Sequence, residues 1–155
     1  MRRAYSVSAV SAFAVLLALL AGLAGSVQVA IMGRLGQRIG SFEALAWASL
    51  LSAGLALGVL LAARQSLAGI SAAARQPPWL WLGAAMGTFI VFTITFAGPR
   101  IGTTATIGIL IAGQLAMGAV IDRFGLFGLD RIPLDRPRAL GILLLAAGAA
   151  LTLRR

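Results

Sequence analysis

Two glutamines, Gln28 and Gln114, lie within long apolar segments of the sequence, at residues 6–32 and 101–121. A primary amide carries hydrogen-bond donors and an acceptor, and leaving them unpaired among hydrocarbon costs several kcal/mol. Two interpretations of these amides are open. Each amide forms a hydrogen bond to another helix and only orients it, or the two amides line a polar cavity through which a solute passes.

Hydroxyl and aromatic side chains extend this set of candidate solute contacts. The hydroxyl candidates begin the segment that also contains Gln114: Thr103, Thr104 and Thr106. The aromatic candidate is Phe92, which shares one helix face with Phe89 and Phe96 because the three recur at helical spacing. Such a face packs against lipid or other helices, or it forms the aromatic wall of a substrate cavity. The second interpretation suits a polar or amphipathic solute.

Charged residues near the segment ends allow ion pairs or gates. Glu43 and Arg100 are expected on the same side of a membrane and are predicted to pair. Asp122 ends the fourth segment and is expected to face Arg123 and the arginines between the second and third segments. For each of these groups a solvated charge or a structural ion pair is one interpretation, and a gate or proton site is the other.

The composition excludes most other classes of chemistry. Apolar residues make up 60% of the chain, charged residues 11%, and the mean hydropathy is +0.98, so a soluble fold could not cover its own surface. The sequence has no cysteine or histidine, the commonest groups for metal binding and general-base catalysis. The net charge of +9 is spread between apolar runs, which argues against a nucleic-acid partner. We therefore expect no enzyme, no cofactor and no metal.

Five apolar segments must position these side chains. They cover approximately residues 6–32, 42–63, 79–98, 101–121 and 139–153. Because roughly 20 residues of helix cross the hydrocarbon core, the segments predict a single all-α, polytopic domain with five transmembrane helices. The fifth is short, so its flanking arginines must snorkel or the bilayer must thin. The opening also resembles a signal peptide cleaved near Ala24, but the apolar run continues beyond that residue, which favours an uncleaved first helix.

The breaks and the small residues indicate how the helices meet. Only residues 98–102 separate the third and fourth segments, which predicts a tight antiparallel hairpin. The predicted anchors at the membrane interface are the tryptophans Trp47, Trp79 and Trp81. The predicted helix-packing positions, without assigned partners, are two GxxxG pairs: Gly54 with Gly58, and Gly83 with Gly87.

The arginines favour one orientation only weakly. With five spans, eight arginines share the side of the N-terminus: Arg2, Arg3, Arg64, Arg75, Arg123, Arg131, Arg136 and Arg138. Five lie opposite: Arg34, Arg38, Arg100, Arg154 and Arg155. A cytoplasmic N-terminus is therefore favoured, although so small a bias permits insertion both ways. Two copies in opposite senses would supply the inverted repeats from which many transporters are built, so we predict an antiparallel homodimer.

Several stretches resemble a known family in their order and spacing. The most specific are PPWLWLGAAMG, AGPRIGTTATIGILIAGQL and IDRFGLFG, and LAGSVQVAIMGRLGQRIGS is a weaker match. On these stretches the chain resembles YdcZ-like proteins, five-span members of the drug/metabolite transporter superfamily found in bacterial inner membranes. The resemblance covers nearly the whole chain. It implies a small-molecule transporter or exporter of undefined substrate, in which single short chains form antiparallel dimers within the bilayer.

Two features of the first helix depart from related patterns. Met32 stands where the family usually has asparagine, so no asparagine-dependent role is carried over. The helix contains no carboxylate, unlike the related small multidrug transporters, which disfavours proton-coupled antiport by their chemistry. Uniport and coupling through Glu43 or Asp122 remain open. The alternative function is a non-transporting membrane component, such as a partner subunit, a lipid-binding protein or a scaffold.

Overall fold

The computed structural model describes the backbone of residues 9–153 and the side chains of residues 12–153. Within these residues the α-helices are α1 (Ala9–Ile39), α2 (Ser41–Arg64), α3 (Ala68–Ala74), α4 (Leu82–Ile101), α5 (Thr103–Phe124) and α6 (Arg136–Leu151). Short 3-10 turns cover Pro78–Trp81 and Leu126–Gly128, and the described residues contain no strand. The predicted all-α class is therefore confirmed. Residues 6–8 of the first predicted segment, and Arg2, Arg3, Arg154 and Arg155, lie outside the described residues.

Four helical segments are long and apolar enough to cross a membrane. They are Ala12–Ile39, Ser41–Arg64, Pro78–Ile101 and Thr103–Phe124. Helix α6 has 16 residues and a length of about 24 Å, less than the roughly 30 Å of the hydrocarbon core. It begins three residues before the predicted segment, where Asp135 caps it by accepting a hydrogen bond from the Arg138 backbone N–H at 3.0 Å. A fifth crossing therefore stays a prediction.

The turn between α4 and α5 is shorter than the sequence suggested. Helix α4 continues through Pro99 to Ile101, beyond the predicted end at residue 98. Gly102 alone lies between the helices, with φ 87° and ψ 153°, where glycine is strongly favoured. Its N–H donates to the Gly98 carbonyl at 3.0 Å, and its carbonyl accepts from the Thr106 N–H at 3.1 Å. A one-residue turn thus closes the predicted hairpin.

Helix α1 packs against α2, α4 and α5, while α2 also packs against α4, and α5 packs against α4 and α6. The closest approach is the crossing of α1 and α4. Three glycine contacts form it: Gly36 with Thr95, Gly33 with Pro99, and Gly98 with Val29. A Cβ on Gly36 would lie 2.7 Å from the Thr95 Cγ2 atom, so no larger residue fits there without moving a helix. Gly108 of α5 approaches Ala149 of α6 in the same way, with a Cβ at 3.2 Å.

The predicted packing glycines are different ones. A Cβ on Gly54, Gly58, Gly83 or Gly87 would meet no described atom within 4 Å. The prediction that these residues pack helices together is therefore not met within one chain. GxxxG spacing shows that a helix has a smooth face, but the rotation of the helix in the bundle decides whether that face meets another helix.

Much of the bundle surface is uncovered. The chain exposes 12015 Å², whereas a compact chain of 15.9 kDa exposes about 7,400 Å². Helix α2 illustrates the excess, since Ala44 is its only buried residue although the helix has 24 residues. The bundle is held together where α1 and α4 end and α2 and α5 begin, which we call the Arg100 end. Away from it, α2 and the first half of α4 present long apolar faces.

Candidate solute-binding site

Gln28 and Gln114 line the same cavity, which lies among α1, α4 and α5 and has a volume of about 250 Å³. Helical spacing places the lining residues on one face of each helix. The cavity exists because α1 has small side chains on this face: Gly22, Gly25 and Ser26. Branched side chains of α4 and α5 form its other walls: Ile90, Ile94 and Ile107. We call this space the amide cavity. The two amides predicted to need partners are therefore neighbours in one apolar recess.

The amides of Gln28 and Gln114 have no hydrogen bond to another helix within the described residues, and both residues are exposed. The interpretation in which each amide orients a neighbouring helix therefore has no supporting contact within this part of the chain. Their donors and acceptors remain available to a molecule in the amide cavity.

A larger cavity adjoins the amide cavity along α5. It lies between α1, α5 and α6, has a volume of about 540 Å³, and is lined by Thr103 and Thr104. Ser26, Ile107 and Ile111 line both spaces, so the two form one continuous groove. Among the residues that the structure describes, no charged side chain lines either cavity. These residues offer hydrogen bonds and apolar contact to a molecule in the groove.

Thr106 does not reach this groove. It is buried at 3% exposure, and its hydroxyl donates to the Gly102 carbonyl at 2.8 Å. The prediction that Thr106 contacts solute is therefore corrected: its hydroxyl is buried and bonded to the carbonyl four residues earlier, as threonine hydroxyls commonly are in helices.

Phe92 packs in an aromatic stack and does not line the groove. Its ring lies 5.1 Å from that of Phe42 in α2 and 5.9 Å from that of Phe96 in α4, measured between centroids. Such stacking joins helices. Of the two interpretations offered for Phe92, the structure favours helix packing over a cavity wall. Helical spacing in the sequence correctly predicted that Phe92 and Phe96 share one face of α4, but it could not predict that Phe42 of α2 packs against them.

Glu43 and Arg100 do not pair, although both lie at the Arg100 end. The guanidinium of Arg100 lies 3.5 Å above the centre of the Phe96 ring and donates to the Phe96 carbonyl. The Glu43 carboxylate lies over Gly40, whose φ of 99° again favours glycine. The predicted ion pair is therefore corrected: among the described residues Arg100 makes its contacts with Phe96 of its own helix, and no salt bridge joins it to Glu43.

Asp122 forms an ion pair with Arg138, not with the arginines predicted for it. The predicted partners were Arg123 and the arginines of the second connection. The observed partner, Arg138, lies in the first turn of α6. The loop after α5 reverses the chain direction, so this turn lies beside the end of α5. The side chains of Arg138 and Asp122 are 38% and 25% exposed, so the pair fastens the α5–α6 hairpin at its solvated end.

The three tryptophans are partly exposed near helix ends. Trp79 stacks on Phe127 at 6.1 Å between centroids, and the Trp81 indole N–H donates to the Ala73 carbonyl at 3.4 Å. The Trp79–Phe127 contact joins the connection before α4 to the loop after α5, whereas the Trp81–Ala73 bond lies within the connection before α4. Trp47 is 60% exposed. Anchoring at the membrane interface remains a prediction for all three residues.

Two polar residues of the structure were missed by sequence reasoning. Ser26 links the two cavities, and its four-residue spacing from Gly22 on α1 was the available signal. Gln37 lines two further cavities at the Arg100 end. It was overlooked because the first span was predicted to end at residue 32, whereas α1 continues to Ile39.

Comparison with known proteins gives one match. A family model described as "Putative inner membrane exporter, YdcZ" matches residues 13–151. No curated protein and no solved structure matches the chain.

Proposed function

The chain belongs to the YdcZ family of inner membrane exporters, and from this premise we propose that it carries an uncharged, amphipathic small molecule across the bilayer. The match confirms the family indicated by the sequence motifs, and with the apolar helices it indicates a multi-pass inner membrane protein. The observation that supports transport through this bundle is the amide cavity, where Gln28 and Gln114 meet.

The lining chemistry suggests the class of solute. Transferring an isolated charge into an apolar recess is very costly without a paired counter-charge. Neither cavity of the groove has a charged lining residue, whereas amides and hydroxyls supply both donors and acceptors. A neutral molecule with an apolar part and a hydrogen-bonding part matches this surface. Because no carboxylate is among the described lining residues, we propose no proton-coupling site within the groove.

Solute flux into proteoliposomes tests this proposal. Three probes share one ring and one alkyl chain but differ in charge: butyl glucoside, butyl glucuronide and butyl glucosaminide, used within a panel of neutral, anionic and cationic compounds of similar size. We expect protein-dependent flux of neutral members and none of charged ones. Flux of charged members alone would refute the substrate class. No flux of any compound would favour the non-transporting alternative.

We further propose that the working unit is an antiparallel homodimer within the drug/metabolite transporter superfamily. One copy leaves α2 and the first half of α4 uncovered, and the open glycines Gly54, Gly58, Gly83 and Gly87 lie on these elements. A second copy packed there would bury the smooth glycine faces and shield the groove. The weak arginine bias of the sequence, which slightly favours a cytoplasmic N-terminus, is compatible with insertion in both senses.

Replacing Gly58 by valine is expected to weaken self-association by about tenfold or more, because an added side chain at a packed face costs about 1–3 kcal/mol. Association in lipid is measured by fluorescence transfer between labelled copies in bilayers of varied protein density. Gly118→Val is the matched control, since Gly118 is equally open in one chain but lies outside both GxxxG pairs. Equal association of both variants and the wild type would contradict this interface.

A further inference from the structure

Two small cavities adjoin at the Arg100 end, outside the groove proposed for solute. They have volumes of about 190 and 300 Å³, and Gln37 and Pro99 line both. Arg34 lines the smaller cavity, and Arg100 lines the larger one together with Ser41. We call them together the Pro99 site. Two guanidinium groups, an amide and a hydroxyl thus surround one proline at the end of the bundle.

Arg100 is held in place before any ligand arrives. Its guanidinium stacks on Phe96, which itself stacks on Phe92 and through it on Phe42 of α2. Stacking uses the face of the guanidinium plane, and one donor is bonded to the Phe96 carbonyl. The other N–H groups lie at the edge of the plane, where Arg binds oxyanions. An ordered arginine loses less entropy on binding than a mobile one.

The arginines of this site have no acidic partner among the described residues. Within that part of the chain no acidic side chain lines either cavity, and no salt bridge joins Arg34 or Arg100 to a carboxylate. Of the four acidic side chains in the sequence, only Glu43 lies at this end, and its carboxylate is placed over Gly40. Asp122, Asp130 and Asp135 belong to the end of α5 and the loop that follows it. The Pro99 site is therefore a cationic recess without an internal counter-ion.

The site also lies at a defined depth. The candidate spans of α1 and α4 end at Ile39 and Ile101, and those of α2 and α5 begin at Ser41 and Thr103. Arg34 and Arg100 are within two turns of these ends, at the level where lipid headgroups meet the helices. From charge, donor geometry and depth together we propose that the Pro99 site binds a phosphate group. The headgroup of an anionic phospholipid places such a group at this level, and a free phosphate ion has the same chemistry.

Native mass spectrometry of the full chain released from phosphatidylglycerol and phosphatidylethanolamine vesicles tests this proposal. The double variant Arg34→Gln/Arg100→Gln is expected to retain phosphatidylglycerol at least about tenfold less than the wild type, because the loss of even one hydrogen bond to a charged group costs about 1.5–3 kcal/mol. Arg38→Gln is the matched control: it removes a charge from the same end of α1 but lines neither cavity. It should retain lipid like the wild type.

A second arm separates the two sources of phosphate. Inorganic phosphate is titrated against lipid-free protein in uncharged detergent while the melting temperature is followed. A shift that requires Arg34 and Arg100, with lipid retention unchanged by the double variant, assigns the site to a free ion. Arg100→Lys keeps the charge but loses the planar fork, and we expect it to weaken phosphate or lipid binding while leaving the helix content unchanged. Equal losses with Arg38→Gln, or no loss in either arm, would overturn the proposal.

Discussion

The double variant Gln28→Leu/Gln114→Leu is expected to transport a neutral solute about thirtyfold more slowly than the wild type at low solute concentration. Leucine is close in size to glutamine, so the shape of the amide cavity is largely kept while its donors and acceptors are removed. A hydrogen bond between neutral groups contributes about 0.5–1.5 kcal/mol, so two contribute about 2 kcal/mol, and each 1.4 kcal/mol corresponds to tenfold. The initial rate of flux into proteoliposomes measures the effect.

Gln76→Leu is the matched control for this variant. It makes the same chemical change at a glutamine that lies in the connection before α4 and lines neither cavity of the groove. Its flux should equal that of the wild type. The single variants should each lose about fivefold if the two amides contribute independently. Unchanged flux in the double variant, with the wild type active, would remove the amide cavity from the pathway without touching the transport proposal itself.

Gly36→Val is expected to lower the free energy of unfolding by about 3 kcal/mol. A Cβ at this position already lies 2.7 Å from the Thr95 Cγ2 atom, and valine adds two further methyl groups. Thr95 cannot move aside easily, because it is 1% exposed and its hydroxyl donates to the Val91 carbonyl at 2.7 Å. The added atoms must therefore separate α1 from α4. Unfolding in mixed micelles by sodium dodecyl sulfate, followed by circular dichroism, gives the free energy.

Gly113→Val provides the comparison for stability. Gly113 lies within α5, where a Cβ would meet no described atom within 4 Å, and valine has a somewhat better helix propensity than glycine. This control should be as stable as the wild type or slightly more stable. If both valine variants lose the same stability, the close crossing of α1 and α4 is not what holds these helices together.

The sequence was sufficient for properties that depend on composition and on runs of residues. Apolar runs between charged breaks predicted the four helices that meet the length of a membrane crossing, and the short connection at residues 98–102 predicted the hairpin. The motifs predicted the family. The fifth crossing was predicted from a short apolar run, and α6, with 16 residues, is shorter than an undeformed bilayer requires.

Contacts between helices could not be read in the same way, because they depend on how each helix is rotated. Gly54 and Gly33 look alike in sequence, but only Gly33 faces another helix of the chain. The same limit explains why Asp122 was given the wrong partner, since the path of the loop before α6 decides which arginine returns to α5. For Gln28 and Gln114 the sequence left two interpretations open, hydrogen bonds to other helices or the lining of a cavity. Both residues line one cavity, and their contact with solute stays a prediction.

The single-residue turn at Gly102 restricts how the protein can change shape. With no slack between them, α4 and α5 cannot part at the Arg100 end, so a tilt of one carries the other with it. Both helices line the amide cavity, whose remaining wall is α1. Under the proposed transport function, a solute would therefore enter or leave where α1 packs against this joined pair, beside the glycine contacts at Gly33 and Gly36.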